Sequence, residues 1–146
     1  IDDTILNKPG RLTPEEFEIM KTHTTIGADM LRELGSHHAG NALMEYAYQI
    51  ARWHHERWDG KGYPDGLKGD EIPIAAQVVS VADVYDALTS VRMYKDAIPH
   101  KEAIQMILDG KCGEFNPLLL DCLLEVQDRI AETLARPADV VAFPTI

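Results

Sequence analysis

Hydrophobic residues recur along most of this chain at spacings of three and four, the pattern of helices that bury one face. The first such segment follows Thr13-Pro14-Glu15-Glu16, where a capping box coincides with a proline at the first helical position. We predict one helix over residues 14–34, ended by Gly35. Its buried stripe comprises Phe17, Met20, Thr24, Gly27, Leu31 and Leu34.

Further helices are predicted downstream. A second one, over residues 41–57, has Leu43, Ala47, Ile50 and His54 on one face. Residues 58–73 are rich in turn-forming residues and are predicted as loop. Residues 73–88 are valine-rich, which also suits a strand, but their length and alanine content favour a helix. Helices over residues 102–108 and 117–134, the latter capped by Asn116 and ended by Pro137, complete an all-α fold.

Composition fits one compact domain and argues against several functions. The chain has 146 residues, of which 45% are hydrophobic, and a net charge of −10. No run of roughly 18 apolar residues occurs, so no membrane span is predicted. Cys112 and Cys122 lack metal-binding spacing and are interpreted as reduced, packed thiols of a cytoplasmic protein. The acidic charge argues against DNA binding, and a phosphate-binding protein of this charge must concentrate cations locally.

Residues 54–67 carry the clearest chemical signal in the sequence. The adjacent imidazoles of His54 and His55 precede a glycine-rich loop that contains Lys61 and Tyr63. Imidazoles are common metal ligands, and a glycine-rich backbone can approach a bound anion closely. The stretch therefore suggests a metal site for a phosphate-bearing substrate, with Lys61 and Tyr63 as candidate substrate contacts. The alternative is a helix end with solvated histidines.

His23 and Asp83 are the other candidate ligands. His23 flanks the first buried stripe, where a hydrogen-bonded structural histidine is the alternative. Asp83 lies among apolar neighbours, where a carboxylate is costly unless it is paired or binds a metal. Adjacent histidines point about 100° apart on a regular helix, so His54 and His55 require two metals or a frayed helix end. A set of imidazoles and a carboxylate suits Fe, Mn or Zn.

Two cations follow the third predicted helix. Arg92 and Lys95 are three residues apart, so they can hold one phosphate together or remain two solvated cations at a helix terminus. His37 and His38 lie in a glycine-flanked stretch and are interpreted as loop residues. His100 follows a proline and is interpreted as a structural residue at a helix start.

These residues together resemble the HD-GYP domain, a branch of the HD superfamily of metal-dependent phosphohydrolases. The resemblance covers roughly residues 1–120, and the domain is assigned to residues 1–136 with a tail at 137–146. The densest match is His54-His55-Glu56-Arg57-Trp58-Asp59-Gly60-Lys61-Gly62-Tyr63-Pro64. Further matching blocks are Lys8-Pro9-Gly10, Met20-Lys21-Thr22-His23, Val81-Ala82-Asp83-Val84-Tyr85-Asp86-Ala87-Leu88-Thr89 and Arg92-Met93-Tyr94-Lys95.

The resemblance implies a compact helical domain with two or three divalent metal ions, usually Fe or Mn. It implies hydrolysis of the bacterial messenger cyclic di-GMP to linear pGpG or GMP. By position, His23, His54, His55 and Asp83 match metal ligands, with Asp83 essential for catalysis. Tyr63, Arg92 and Lys95 match substrate contacts. The implied setting is cytoplasmic signal transduction, with a sensory or receiver domain upstream.

The family's His-Asp pair and following Lys lie upstream of the block that starts here with Ile1, and the chain does not begin with Met. We therefore interpret it as the C-terminal portion of an N-terminally truncated domain that is inactive by itself, with metal absent or weakly bound. Exposed apolar surface is expected to be hidden by homodimerisation. Two alternatives remain: a non-catalytic module that binds diguanylate cyclase domains, or a hydrolase of another nucleotide.

Overall fold

Helices make up nearly all the regular structure in residues 1–36, 41–91 and 96–135, the part of the chain that the computed structural model describes. No β-strand occurs in that part, so the predicted all-α fold is confirmed. None of its helices combines the length and the apolar composition needed to cross a lipid bilayer. In chain order the helices are α1 (Asp3–Leu6), α2 (Pro14–Lys21), α3 (His23–Ser36), α4 (Ala42–Trp53), α5 (Ile74–Thr89), α6 (His100–Leu108) and α7 (Pro117–Ala135).

The helix starts follow the capping residues read from the sequence. Thr13 Oγ1 accepts the backbone N–H of Glu16 at 3.2 Å, and the Glu16 carboxylate accepts the N–H of Thr13 at 2.6 Å. Asn116 Oδ1 accepts the N–H of Leu118 at 3.0 Å at the start of α7. Each bond satisfies a donor that has no partner inside the helix. Helix α6 begins at His100, two residues before the predicted range of 102–108, and this places His100 at a helix start as predicted.

The helix predicted over residues 14–34 is instead two helices, α2 and α3, that meet at Thr22. The N–H of Thr22 donates to Ile19 O at 3.1 Å, an i to i−3 bond that tightens the chain there. Four consecutive side chains then bond the carbonyl three residues back: Thr22, His23, Thr24 and Thr25. Such bonds compete with the helical ladder, which explains the break.

The break also changes which residues face the core. Thr24 is fully buried, as predicted, but Phe17 is 45% exposed and Leu34 is 57% exposed. The prediction that these two belong to a buried stripe was wrong. Because α2 is separate from α3, the Phe17 ring does not continue the α3 stripe. It packs against Tyr63 in an edge-to-face arrangement, with ring centroids 6.1 Å apart.

The hydrophobic core lies among α5, α6 and α7 and includes Phe115 from the segment between α6 and α7. Helix α5 packs on α4 and α6, α6 packs on α7, and α3 lies against α4. The buried core residues are Val81, Tyr85, Leu88, Ala103, Ile104, Ile107, Phe115 and Leu123. Neither Cys112 nor Cys122 forms a disulfide, as predicted, although Cys122 is exposed rather than packed. The predicted tail, residues 137–146, lies outside the described residues.

An open apolar groove runs between α5 and α7. Its volume is about 360 Å³, and its walls include Val78, Ala82, Leu119 and Val126. Val78 is 50% exposed, so the valine-rich helix carries part of an uncovered apolar face. The groove borders the core cluster, because Val81, Tyr85 and Leu123 belong to both. Neither a histidine nor a residue of the glycine-rich loop lines it, so it is separate from the site described next.

Candidate metal centre

Three histidines from two separate parts of the chain converge. One ligand atom from each of His23, His54 and His55 lies within 4.8 Å of the other two. The ring centroids are 5.3 Å apart for His23 and His54, 5.0 Å for His23 and His55, and 4.1 Å for His54 and His55. All three residues are half-buried. The structure therefore brings together three of the four candidate ligands.

The end of α4 explains how adjacent histidines reach one site. The helix predicted to continue to residue 57 stops at Trp53, and His54 is its C-cap. His54 and His55 then lie in a turn, so the divergence that a regular helix imposes on neighbouring side chains does not apply. The frayed-end alternative is thus the one observed. Residues 54–66 are called the histidine loop below.

Hydrogen bonds fix the orientation of two of the rings. His23 Nδ1 lies 2.7 Å from Met20 O, and His54 Nδ1 lies 2.8 Å from Ile50 O. A carbonyl oxygen can only accept, so each Nδ1 donates a proton. In their neutral forms both rings therefore present an Nε2 lone pair. This arrangement is typical of histidine ligands, whose second nitrogen is held by a carbonyl or carboxylate.

The two Nε2 atoms face each other at 3.3 Å. Two lone pairs at that distance repel, and a proton or a cation between the nitrogens relieves the repulsion. The third imidazole on the same side, His55, favours the cation. Burial, followed by the charges of His54, His23 and Arg57, lowers the pKa of His55 to about 3. His55 is therefore neutral near pH 7 and keeps a lone pair for a metal.

A buried glutamate holds the histidine loop in shape. Glu56 is 2% exposed, and its Oε1 accepts the N–H groups of Asp65 at 2.7 Å and Gly66 at 3.0 Å. Burial raises the pKa of Glu56, against the lowering effect of these backbone bonds. The far end of the loop is fixed separately, because the Asp65 carboxylate accepts two bonds from Arg52 and one from Trp53 Nε1, each at 2.8 Å.

Close packing of Gly62 brings Tyr63 against the histidines. A Cβ added at Gly62 would lie 2.3 Å from Glu56 Cα, so only glycine allows this approach. Tyr63 N–H donates to His55 O at 3.2 Å, and the two rings stack with centroids 4.7 Å apart. Burial raises the pKa of Tyr63 to about 12. Its hydroxyl therefore stays protonated and can donate a hydrogen bond near pH 7.

Arg57 anchors the loop to the rest of the domain, a role that sequence reasoning did not assign. Its Nη1 donates to Ser80 Oγ at 2.7 Å, and its Nε donates to Cys112 O at 3.3 Å. The guanidinium also lies 5.1 Å from the centroid of Phe115. Burial lowers the pKa of Arg57, but a guanidinium remains charged in proteins. The pattern of apolar residues gave no signal for this long-range anchor.

Asp83 does not join the group of three histidines. It is half-buried on α5, and its carboxylate lies outside the set of ligand atoms within 4.8 Å of one another. The charge of Asp83 nevertheless affects the same region. Burial is the largest influence on the pKa of Arg57 and of Tyr63, and the Asp83 carboxylate raises both pKa values. Asp83 is therefore not part of the three-histidine group.

The remaining sequence candidates have different outcomes. Lys61 has a side chain that is 84% exposed, and its ammonium pairs with Asp59 at 2.8 Å. Arg92 and Lys95 lie outside the described residues, as do His37 and His38. His100 donates or accepts at 2.8 Å with the Tyr85 hydroxyl, in line with a structural role.

The sequence matches a known protein family and several known proteins. The sequence profile described as HD domain matches residues 3–117. A cyclic di-GMP phosphodiesterase of Thermotoga maritima is 46% identical over 141 residues, 95% of this chain and 36% of the relative. The 3'3'-cGAMP-specific phosphodiesterase 2 of Vibrio cholerae is 41% identical over 128 residues, 88% of this chain and 24% of the relative.

A third relative, the cyclic di-GMP phosphodiesterase response regulator RpfG of Xanthomonas campestris, is 39% identical over 146 residues, 100% of this chain and 37% of the relative. The chain thus spans 24% to 37% of the length of these three relatives. The matches support the resemblance to the HD-GYP branch that the motifs indicated.

Proposed function

Because the chain belongs to the HD domain family, we propose that it carries the metal site of a phosphodiesterase that hydrolyses cyclic di-GMP to linear pGpG or GMP. The observation that carries the proposal is the convergence of three imidazoles, two of them with opposed Nε2 atoms 3.3 Å apart. That arrangement is unfavourable for neutral histidines alone and favourable around a cation.

His23, His54 and His55 would hold a divalent metal, with Asp83 as ligand to a second ion. Imidazole and carboxylate donors without a thiolate suit Fe or Mn, and two or three ions are proposed. Bound ions would supply Lewis-acid activation of water and neutralise charge that develops on the phosphate. Asp83 is the proposed catalytic carboxylate.

The chain's own residues would position the substrate phosphate. The Tyr63 hydroxyl, protonated near pH 7, donates to a phosphate oxygen beside the histidines. Arg57 keeps a buried positive charge behind the loop and holds it against α5. Lys61, Arg92 and Lys95 remain predicted phosphate contacts, and they supply the local cations that a chain of net charge −10 requires.

The test measures Mn²⁺ binding and substrate turnover separately in the native protein. Replacing His55 with alanine should weaken Mn²⁺ binding by at least about tenfold, since it removes a ligand. It should also abolish release of pGpG and GMP from cyclic di-GMP. His100→Gln is the control, because it removes a remote imidazole and keeps a polar partner for Tyr85. Equal Mn²⁺ affinity in the native and His55→Ala proteins would refute the metal site.

A second candidate substrate is 3'3'-cGAMP. The Vibrio cholerae relative named for that substrate is 41% identical to this chain. Initial rates on cyclic di-GMP and on 3'3'-cGAMP at matched concentrations separate the two. We expect cyclic di-GMP to be the faster substrate, and a higher rate on 3'3'-cGAMP would reassign the specificity without affecting the proposed chemistry.

We further propose a cytoplasmic role in signal transduction, with homodimerisation and contact with diguanylate cyclase domains. An upstream sensory or receiver domain is also proposed. The name of the Xanthomonas campestris relative as a response regulator supports a receiver domain. The open apolar groove between α5 and α7 supports burial of that face against another protein surface. Light scattering of the native protein tests the dimer.

A further inference from the structure

Three side chains form an aromatic and cationic cluster beside the histidines. Phe17 and Lys21 are one turn apart on α2, and Tyr63 lies in the histidine loop. The Lys21 ammonium lies 5.7 Å from the ring centroid of Phe17 and 5.7 Å from that of Tyr63. Phe17 and Tyr63 meet edge to face at 6.1 Å. Two rings therefore hold one cation in place through cation–π attraction.

The cluster is tied to the candidate metal centre at two points. The Tyr63 ring stacks on His55 with centroids 4.7 Å apart, so Phe17 is separated from a proposed ligand by a single ring. The residue before Lys21 supplies the carbonyl that orients His23, at 2.7 Å. A phosphate at the metal centre would consequently have this cluster next to it.

The Phe17 ring and the Lys21 ammonium of this cluster match the chemistry of a purine base. Phe17 is 45% exposed and offers part of its ring to solvent. Lys21 is paired with Glu18 at 2.7 Å, and an ammonium has three donors, so it keeps hydrogen-bonding capacity for a ligand. Guanine presents two acceptors, O6 and N7, on one edge, whereas adenine presents an amino donor beside N7.

We propose that Phe17, Lys21 and Tyr63 form a guanine-binding subsite, in which the base stacks on Phe17 and Lys21 donates to the O6 and N7 edge. This inference rests on the proposed function, since it supplies the base recognition that a guanine-containing phosphodiester substrate needs. An adenine in the same place would set its amino group against the ammonium. The subsite therefore favours guanine over adenine.

The test uses equilibrium binding of three mononucleotide probes to the native protein: GMP, AMP and ribose 5-phosphate. Removing the ring with Phe17→Ala should weaken GMP binding by about 5- to 150-fold, the usual effect of losing a base–aromatic stack. Ribose 5-phosphate, which has no base, should bind unchanged. Phe17→Tyr keeps a ring and should retain GMP affinity. Ile19→Ala on the same helix removes an equally exposed apolar side chain, 47% against 45%, and should change nothing.

Lys21→Met tests base selection. It should lower GMP affinity by about tenfold and leave AMP and ribose 5-phosphate unchanged. A loss of equal size for all three probes would make Lys21 a phosphate contact and overturn its role in reading the base. GMP affinity that is the same in the native, Phe17→Ala and Ile19→Ala proteins would overturn the subsite.

Binding of GMP is measured without turnover, so the two proposals fail separately. Native protein that discriminates GMP from AMP through Lys21 but does not hydrolyse cyclic di-GMP would retain the subsite and refute the proposed reaction. Native protein that hydrolyses cyclic di-GMP but binds GMP no better than ribose 5-phosphate would retain the reaction and refute the subsite.

Discussion

The histidine loop and the exposed face of α2 border the same candidate site, but they are built differently. The loop is held by buried groups: Glu56 at one end, Arg57 beneath it and Asp65 at the other end. The face of α2 carries Phe17 and Lys21, which contact Tyr63 of the loop through an aromatic pair and a cation–π contact. Buried groups therefore fix the positions of the proposed metal ligands. Exposed side chains, in contrast, form the surface that is proposed to select the substrate.

This difference has an energetic consequence. Substitutions in the loop disturb buried backbone and should cost folding stability. Substitutions on the α2 face should change ligand binding and leave stability nearly unaltered, as is usual for surface positions. The predictions below test that division, beginning with the largest expected effect.

Gly62→Ala should disrupt the loop most. The added Cβ would lie 2.3 Å from Glu56 Cα and 2.4 Å from Arg57 N, and neither backbone atom can move without shifting the histidines. We expect a loss of about 3 kcal/mol or more in the free energy of unfolding. Urea denaturation measures it. Gly27→Ala is the matched control, because its Cβ would meet only Ala51 Cβ, at 3.8 Å, inside a helix. A neutral Gly62→Ala would mean that the loop is not rigidly packed.

Asp65→Asn should have a smaller effect at the other end of the loop. The carboxylate accepts from Arg52 Nε and Nη2, both at 2.8 Å, and from Trp53 Nε1. The pair is partly exposed, so its contribution is discounted to about 1 kcal/mol. Thermal unfolding should show a matching decrease in Tm. Asp29→Asn breaks a more exposed pair with Arg32, and should have almost no effect. Equal decreases for both variants would contradict the special role of Asp65.

Local signals in the sequence predicted much of this structure. Thr13 and Asn116 marked helix starts that the structure confirms, because a cap depends on residues within one turn. The apolar periodicity predicted α5, α6 and α7 within a few residues. The histidine pair with its glycine-rich loop also pointed to the segment where the three histidines converge, since the motif is contiguous.

The missed features depend on contacts that periodicity does not encode. The break at Thr22 comes from side-chain bonds to carbonyls, which an apolar stripe cannot reveal. The early end of α4 accompanies the long-range attachment of the loop through Glu56 and Asp65. Phe17 looked like a core residue by spacing alone, and its partner Tyr63 is 46 residues away in the sequence.

Glu56 makes the stability of the folded protein depend on pH. Burial raises its pKa in the folded protein, so the folded state binds this proton more tightly than the unfolded state does. The contribution to stability is fully present below the unfolded pKa and is lost as pH rises through the folded pKa. Asp65 acts oppositely: the bond from Arg52 lowers its pKa, so its contribution is lost as pH falls.

Comparison with Glu56→Gln isolates the first effect. The amide oxygen can still accept the N–H groups of Asp65 and Gly66 but does not titrate. From about pH 4.5 upward, the native protein should lose stability relative to Glu56→Gln, as followed by the difference in Tm between the two proteins. A constant difference across that range would show that Glu56 has the same pKa in both states.

The smallest effect on stability is expected on the α2 face. Lys21→Met removes an ion pair with Glu18, whose side chain is 69% exposed, and a cation near two rings, while the methylene stem is kept. Exposed i,i+3 pairs contribute little, so the free energy of unfolding should change by less than about 0.5 kcal/mol. Urea denaturation of Lys21→Met beside Gly62→Ala makes the comparison directly. A loss for Lys21→Met that approaches the loss for Gly62→Ala would mean that Lys21 supports the fold, and any change in GMP binding would then have to be attributed to altered structure rather than to a missing ligand contact.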